Sequence, residues 1–443
     1  MSPNPRKKAV NMLLDIEKKS SYVNIEMNKL RALDDFSPID IRFIGEIVNG
    51  VIKRKITLDY IIAKHSNVKL NKISPFILAV LRSAIYQILF MDKVPDSAAV
   101  NESVKIVKKS SVNRLSSYVN AVLRAVSQDD ISSIDQTNIQ GLSIYHSFPE
   151  WIVERWVNRF GFEFAQNLLF SLNQKAPLCI RRNVNMPQED LSHLLNEYNI
   201  ESSPVVISQL PDFDYCMQIN VSKTMFTDTA AFKNGDFYIQ DAAAALAAYL
   251  LEPQAGDKVI DMCAAPGGKS LFAAELMANS GSVVSFDIYE HKLDLISENC
   301  ARHNISIVSP VLQDSSVFNP EYENSADKII CDVPCSGFGI IRKKPDIRYA
   351  RTESDIAELA KLSYSILENA ARYLKSGGTM VFSTCTIEQT ENEDVIHKFL
   401  DKHKDFSLYP FTKSGIAYKT FYPHIDDTDG FFVCRLKKNG DNP

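Results

Sequence analysis

The 443-residue chain contains no run approaching 18 uninterrupted apolar residues, so a membrane-spanning helix is excluded. Its opening residues, MSPNPRKKAVNMLLDIEKKS, lack both a long apolar segment and a small-residue cleavage site. No secretory signal is expected, and the chain is assigned to the reducing cytoplasm. Cysteine is present, but not in metal-binding patterns. Cys179, Cys216, Cys263, Cys300, Cys331, Cys335, Cys385 and Cys434 are scattered, with no C-x-x-C pair and no zinc-type spacing. No metal is therefore expected, and the ordinary role for most of these residues is that of small buried hydrophobes. The glycine fingerprint G-x-G-x-x-G is also missing, which weighs against a dinucleotide site. What remains is an ordinary soluble composition, 45% hydrophobic and 23% charged.

The formal net charge of −5 hides an asymmetry. Residues 1–130 carry 21 Lys and Arg against 13 Asp and Glu, a net of +8; the remainder carries 28 against 41, a net of −13. A basic module on an acidic body points to a polyanion as partner of the first part, against the alternative of a solvated lysine-rich helical surface.

Residues 1–130 read as helices throughout. ILAVLRSAIYQILFM (77–91) repeats apolar residues at helical period and ends near Pro95 and Ser97, where a new helix starts. The basic amphipathic stretch 98–110 follows, with Lys108, Lys109 and Arg114 near its end. Residues 127–142 are polar and turn-rich and read as a linker. Helical pattern resumes at HSFPEWIVERWVNRFG, followed by strand-like runs at 177–184, 203–208 and 214–221 and a helix-like segment at 187–199. That mixture suggests a small α+β domain reaching about residue 235. Beyond it, strands at 258–262, 282–287, 305–312, 328–333, 379–383 and 431–437 alternate with helices near 267–278, 290–303, 353–375 and 391–403. This alternation predicts a parallel sheet covered on both faces.

Between the first strand and helix of that region lies CAAPGGKS (263–270), which ends like a P-loop. The P-loop glycine five residues before Gly268 is replaced by Cys263, and no convincing magnesium-binding strand follows; KIICDV is the nearest, and it runs into Pro334-Cys335. The small residues Ala264, Ala265, Gly267 and Gly268 permit close approach of a ligand to the backbone. In open α/β sheets ligands bind at the carboxyl ends of the strands. Asp287 ends the second strand, where an acid receives ribose hydroxyls, and Gln313-Asp314 ends the third, where an acid meets an adenine amino group. Asp261, Asp287, Asp314 and Asp332 would repel a pyrophosphate and favour a positively charged sulfonium. The reading is S-adenosylmethionine; the competing one is that each Asp caps the helix after it.

Two cysteines follow neighbouring strands, in Pro334-Cys335-Ser336 and Thr384-Cys385-Thr386. Beside a methyl donor, a thiolate suggests pyrimidine chemistry. C5 of a cytosine is a poor nucleophile until a thiolate adds at C6, and two thiols allow one to attack and the other to assist release. Asp332 is placed to hydrogen-bond N3 and the exocyclic amine of the base. The plainer alternative is two small residues at strand ends.

FYIQDAAAAL (237–246), DMCAAPGGKS (261–270), DKIICDVPCSGFGIIRKKPDIR (327–348), FSTCTIEQTENE (382–393) and DGFFVCRLKK (429–438), in this order, resemble the RNA 5-methylcytosine methyltransferases. Upstream, 86–109 and 118–124 resemble the NusB-like RNA-binding fold, and HSFPEWIVERW (146–156) fits a small RNA-recognition domain. Together they resemble the bacterial small-subunit rRNA methyltransferase B family over the whole chain. The resemblance implies a multidomain chain: an all-α NusB-like domain (1–130), a linker (131–142), a small α+β RNA-recognition domain (143–235) and an α/β Rossmann-like class I methyltransferase domain (236–443). It implies Cys385 as nucleophile and Cys335 as the thiol promoting release, with Lys269 and Asp332 at the active site. It implies S-adenosylmethionine held by Cys263, Ala264, Ala265, Pro266, Gly267, Gly268, Lys269, Asp287, Asp314 and Asp332, with Arg342, Lys343 and Lys344 meeting RNA phosphates. The expected substrate is 16S rRNA or an early small-subunit assembly intermediate, acted on by a monomer. Thr386 stands where the family usually has Ser, and Phe338-Gly339 where small residues are common. The alternatives are an RNA-binding assembly factor whose methyltransferase domain is secondary, a 5-methylcytosine methyltransferase acting on another RNA, and a P-loop ATPase.

Overall fold

Ser74 and Pro75 open the helix Pro75–Phe90: the serine hydroxyl accepts from the Ile77 amide at 3.5 Å, and proline occupies a position that needs no amide hydrogen. The apolar stripe read from the sequence is its buried face, with Ile77, Val80, Leu81, Ala84 and Ile85 shielded from solvent. The computed structural model describes residues 3–19, 23–32, 35–127, 129–221 and 226–440; Gln128, within the stretch read as a linker, lies outside them. The chain divides into two units, Met1–Gln174 with Lys343–Ala350, and Lys175–Arg342 with Arg351–Pro443.

The first unit is helical, and among its described residues there is no strand. Its core gathers Val48, Val51, Leu81, Ile85, Val107, Val119 and Leu123. The stretch 131–142 holds the start of the helix Ile139–His146. Its polar residues are capping groups: Asn138 accepts from the Gly141 amide at 2.8 Å, and Asp135 from Thr137 at 2.9 Å. Segment 343–350 is seated in this unit through Arg348. Its guanidinium is buried over the Phe148 ring, 3.9 Å from the centroid. It donates to the carbonyls of Lys53 at 3.2 Å and Ser147 at 3.1 Å. Burial holds its pKa down to about 10.

The second unit holds two sheets. In the small one, β1 (Leu178–Arg182), β2 (Ile200–Pro204), β3 (Cys216–Val221) and β4 (Phe237–Ile239) pair antiparallel in the order β2-β3-β1-β4. The second strand begins at Ile200, earlier than the 203–208 run suggested. Val205 still donates its amide to the Cys216 carbonyl of β3 at 2.9 Å, but the chain then leaves the ladder, and Val205 and Ile207 are buried in a neighbouring hydrophobic cluster. β4 was too short to register as a period.

In the large sheet, β5 (Lys258–Asp261), β6 (Ser282–Asp287), β7 (Val308–Leu312), β8 (Ala326–Asp332) and β9 (Leu374–Thr384) are parallel. β12 (Phe431–Lys438) pairs antiparallel with β9, and β10 (Phe406–Leu408) and β11 (Tyr418–Phe421) pair with β12. The order is β10-β12-β9-β8-β5-β6-β7, so the sheet is mixed rather than parallel throughout. The antiparallel return was not visible in the sequence because an apolar run such as FFVCRLK carries no record of its direction. From β5 the chain builds toward β7, then crosses to β8 and builds the other way. The switch point falls between the carboxyl ends of β5 and β8, where a ligand crevice belongs.

Candidate active site

β5 delivers the chain into CAAPGGKS, and the helix Gly268–Leu276 carries it away. Gly267 has φ +102°, a left-handed conformation that disfavours other side chains. Gly268 is glycine for a different reason: a Cβ there would lie 2.6 Å from the Tyr238 ring. The loop is thus pressed against β4 and held open toward the strand ends.

A cavity of about 630 Å³ lies there, lined among others by Cys263, Ala265, Asp287, Tyr289, Gln313 and Asp314 and reaching Asp332 and Pro334. Of the cofactor residues expected from the sequence, Cys263, Ala265, Asp287, Asp314 and Asp332 line this cavity. Ala264, Pro266, Gly267, Gly268 and Lys269 belong to the same loop without lining the cavity. Tyr289, half-exposed at its rim, was missed; its signal was its place two residues after the strand-ending Asp287. The alternative that these acids cap the following helices does not hold: the helices Gly268–Leu276 and Glu290–Arg302 begin without a side-chain cap, and Asp287 and Asp314 brace turns instead. Asp314 accepts from the Ser316 amide at 2.9 Å and hydroxyl at 2.6 Å, and Asp287 from the Tyr289 amide at 3.1 Å. Asp261 is turned inward, accepting from Ser270 at 2.7 Å, and burial raises its carboxyl to about 6.

At the other side of the crevice, β8 and β9 bring Cys335 and Cys385 together, with their Sγ atoms 3.2 Å apart. Cys335 is buried and Cys385 partly exposed. The hydrogen bond to Cys385, and then burial, hold the Cys335 thiol well above its ordinary pKa, so Cys335 stays protonated. Lys269 Nζ donates to Asp332 at 2.7 Å, and the Ser383 hydroxyl donates to the other Asp332 oxygen at 2.7 Å. Burial acts to lower the Lys269 pKa, but the Asp332 carboxylate outweighs it and the net shift is upward, so Lys269 stays charged. Its charge also interacts with Cys385.

Sequence reasoning missed the groups behind the thiols. Glu391 accepts from the Ser336 amide at 2.7 Å and hydroxyl at 2.5 Å, and Ser336 meets the Thr386 hydroxyl at 2.8 Å. Gly339 packs on Gly430, whose amide donates to the Gly339 carbonyl at 2.9 Å. The three basic residues after the loop that follows β8 do not behave alike. Arg342 is turned inward, its guanidinium donating to the Thr428 carbonyl at 2.5 Å and meeting Asp429 at 3.3 Å. Lys343 and Lys344 are exposed and belong to the first unit.

Residues 248–437 match the family model described as 16S rRNA methyltransferase RsmB/F. Residues 3–128 match the NusB family, and 148–210 match the ferredoxin-like domain of RsmF/B-like methyltransferases. The all-α, ferredoxin-like and methyltransferase parts thus follow one another in the order read from the sequence. Among solved structures, the crystal structure of PH0851 superposes with a TM-score of 0.80 at 26% identity, covering 99% of this chain and all of that one. A methyltransferase homologue from Pyrococcus horikoshii superposes with a TM-score of 0.59 at 28% identity, over 68% of this chain and 98% of its own. A ribosomal RNA small subunit methyltransferase B from Photorhabdus laumondii is 31% identical over 97% of both chains. The probable one from Bacillus subtilis is 35% identical over 98% of both. Identity at that level from end to end, with all three domain models in place, makes this chain a member of the ribosomal RNA small subunit methyltransferase B family.

Proposed function

We propose that this protein methylates C5 of a specific cytosine in 16S rRNA, with S-adenosylmethionine as donor and a covalent cysteine–C6 adduct on the path. The observation that carries the reading is the pair of thiols 3.2 Å apart at the ends of adjacent strands, beside an acid-rimmed cavity. The cavity fits the donor: its loop admits close backbone approach, Asp287 and Asp314 sit where ribose and adenine need acceptors, and the acidic rim suits a sulfonium. When bound, S-adenosylmethionine supplies an electrophilic methyl group on a positively charged sulfur.

The protein's own part follows from the groups around Cys385. Its thiolate adds to C6 of the cytosine, forming a C–S bond and moving the ring electrons toward C5, which becomes nucleophilic. The Lys269 charge stabilises that thiolate and the negative charge the ring gains. Asp332, steadied by Lys269 and Ser383, offers an acceptor to the exocyclic amine. After C5 has gained its methyl group, a base takes the C5 proton, and the C–S electrons return to Cys385 as the double bond reforms. Cys335, held as the neutral thiol, donates a hydrogen bond to the departing sulfur. A target base inside a helix must first be extruded from its stack. Lys343 and Lys344 are assigned to RNA phosphates.

The test is incubation of the full chain with rRNA and labelled S-adenosylmethionine. Cys385→Ala is expected to abolish methyl transfer, and Cys335→Ala to leave a protein–RNA adduct that survives denaturing electrophoresis. The opposite pattern overturns the assignment of roles. Bisulfite sequencing of rRNA from a strain lacking the protein identifies the nucleotide.

A further inference from the structure

Behind the two thiols, neighbouring residues of one short segment reach in two directions. Glu391 is buried, and its carboxylate holds both the amide and the hydroxyl of Ser336, the residue after Cys335, at 2.7 and 2.5 Å. Asn392 is equally buried and holds the residues on both sides of Cys385. It accepts from the Thr384 hydroxyl at 2.5 Å and donates to the Thr386 carbonyl at 3.0 Å. Between the two arms, the hydroxyls of Ser336 and Thr386 meet at 2.8 Å. Cys335 lies on the loop after β8 and Cys385 on the loop after β9. The loops also touch directly, through those hydroxyls and through the Gly339 amide, which donates to the Cys385 carbonyl at 3.0 Å; this dipeptide adds a buried tie from behind. Burying a carboxyl and an amide is costly unless their bonds are satisfied, so the clamp resists displacement.

We infer that Glu391 and Asn392 are positioning residues with separate duties, Glu391 setting the release thiol and Asn392 setting the attacking thiol. The inference rests on the roles proposed above for Cys335 and Cys385. Its signature is a crossed defect rather than a common loss.

The experiment follows adduct formation and decay in single turnovers of the full chain with rRNA and S-adenosylmethionine, quenched and resolved on denaturing gels. Glu391→Ala is expected to form adduct at close to the normal rate and to lose it about tenfold more slowly, so that adduct accumulates. Glu391→Gln keeps an acceptor for the Ser336 amide and restores decay to within about threefold. Asn392→Ala is expected to form adduct about tenfold more slowly, with normal decay of what forms. Where Glu391→Ala melts below the assay temperature, Ser336→Ala, which removes only the hydroxyl arm, takes its place with the same expected accumulation. Equal slowing of both steps in both variants, a swapped pattern, or wild-type behaviour overturns the clamp. Cys335→Ala runs alongside. If it accumulates adduct while Glu391→Ala does not, the clamp alone fails. If it forms no adduct, the assignment of thiol roles fails and the clamp with it.

Discussion

At the scale of single residues, the site keeps two carboxyls in an unusual state for a reason that is purely local. Burial raises Glu391 to about 7 and Asp261 to about 6, against ordinary values of 4.5 and 3.8. A carboxyl whose pKa is raised on folding binds protons more readily in the native than in the unfolded chain. Its contribution to stability is therefore complete below the unfolded pKa and lost as pH rises through the folded one. Between about pH 4 and 7 these two groups should make the protein less stable as pH increases. Buried His146, its pKa lowered to about 4, opposes this slope below about pH 6.5, so the readout is a difference: chemical denaturation of Glu391→Gln should lose less stability than the parent protein as pH rises through about 7. Unchanged slope in that variant would remove Glu391 from the explanation. The sequence signals for Asp287, Asp314 and Asp332 were positional, since an acid at a strand end needs no partner to be noticed. Glu391 and Asn392 gave no such signal: they sit in a polar loop run, TENE, that reads as solvent-facing until burial is known.

Elements carry the next level of control. The loop after β8 is held against the segment before β12 by two glycines in direct backbone contact. A Cβ on Gly339 would lie 1.8 Å from the Gly430 carbonyl oxygen, so the loop must move to accept any side chain. Gly339 also donates its amide to the Cys385 carbonyl at 3.0 Å, so the displacement reaches both thiols. Gly339→Ala is expected to slow adduct formation by about ten- to a hundredfold, with the fold retained by circular dichroism. A normal single-turnover rate would show that the loop has slack. Strand limits were largely legible: SVVSFD occupies β6 as read, and the helix expected near 353–375 runs from Glu353 to Tyr373. That helix opens on a capping box, Thr352 with Asp355. The departures came where pairing rather than period decides, as with the shifted β2 and the antiparallel β12.

For the whole molecule, the charge asymmetry is the feature that bears on its partner. Lys108, Lys109 and Arg114 all stand exposed at and just after the helix Asp96–Lys108. Each phosphate neutralised releases counterions, so affinity for RNA falls with salt in proportion to the number of such contacts. Replacing these three residues with glutamine should reduce the slope of log affinity against log salt by about 2. Filter binding or fluorescence anisotropy over a salt series measures it, and an unchanged slope would locate the RNA contact elsewhere in the chain.

The sequence by itself determined the classes of element and their order, because apolar period, caps and strand-end acids are local properties. It also determined the chemistry on offer: cysteines and aspartates at or just past the ends of apolar strands, and a lysine opening the first helix after them. Only the tertiary structure decided which of these groups act together. The 3.2 Å approach of Cys335 and Cys385, the inward turn of Arg342 and the burial of Glu391 all depend on strand order and loop packing. Those join residues 50 or more positions apart, a distance over which neither period nor spacing carries information.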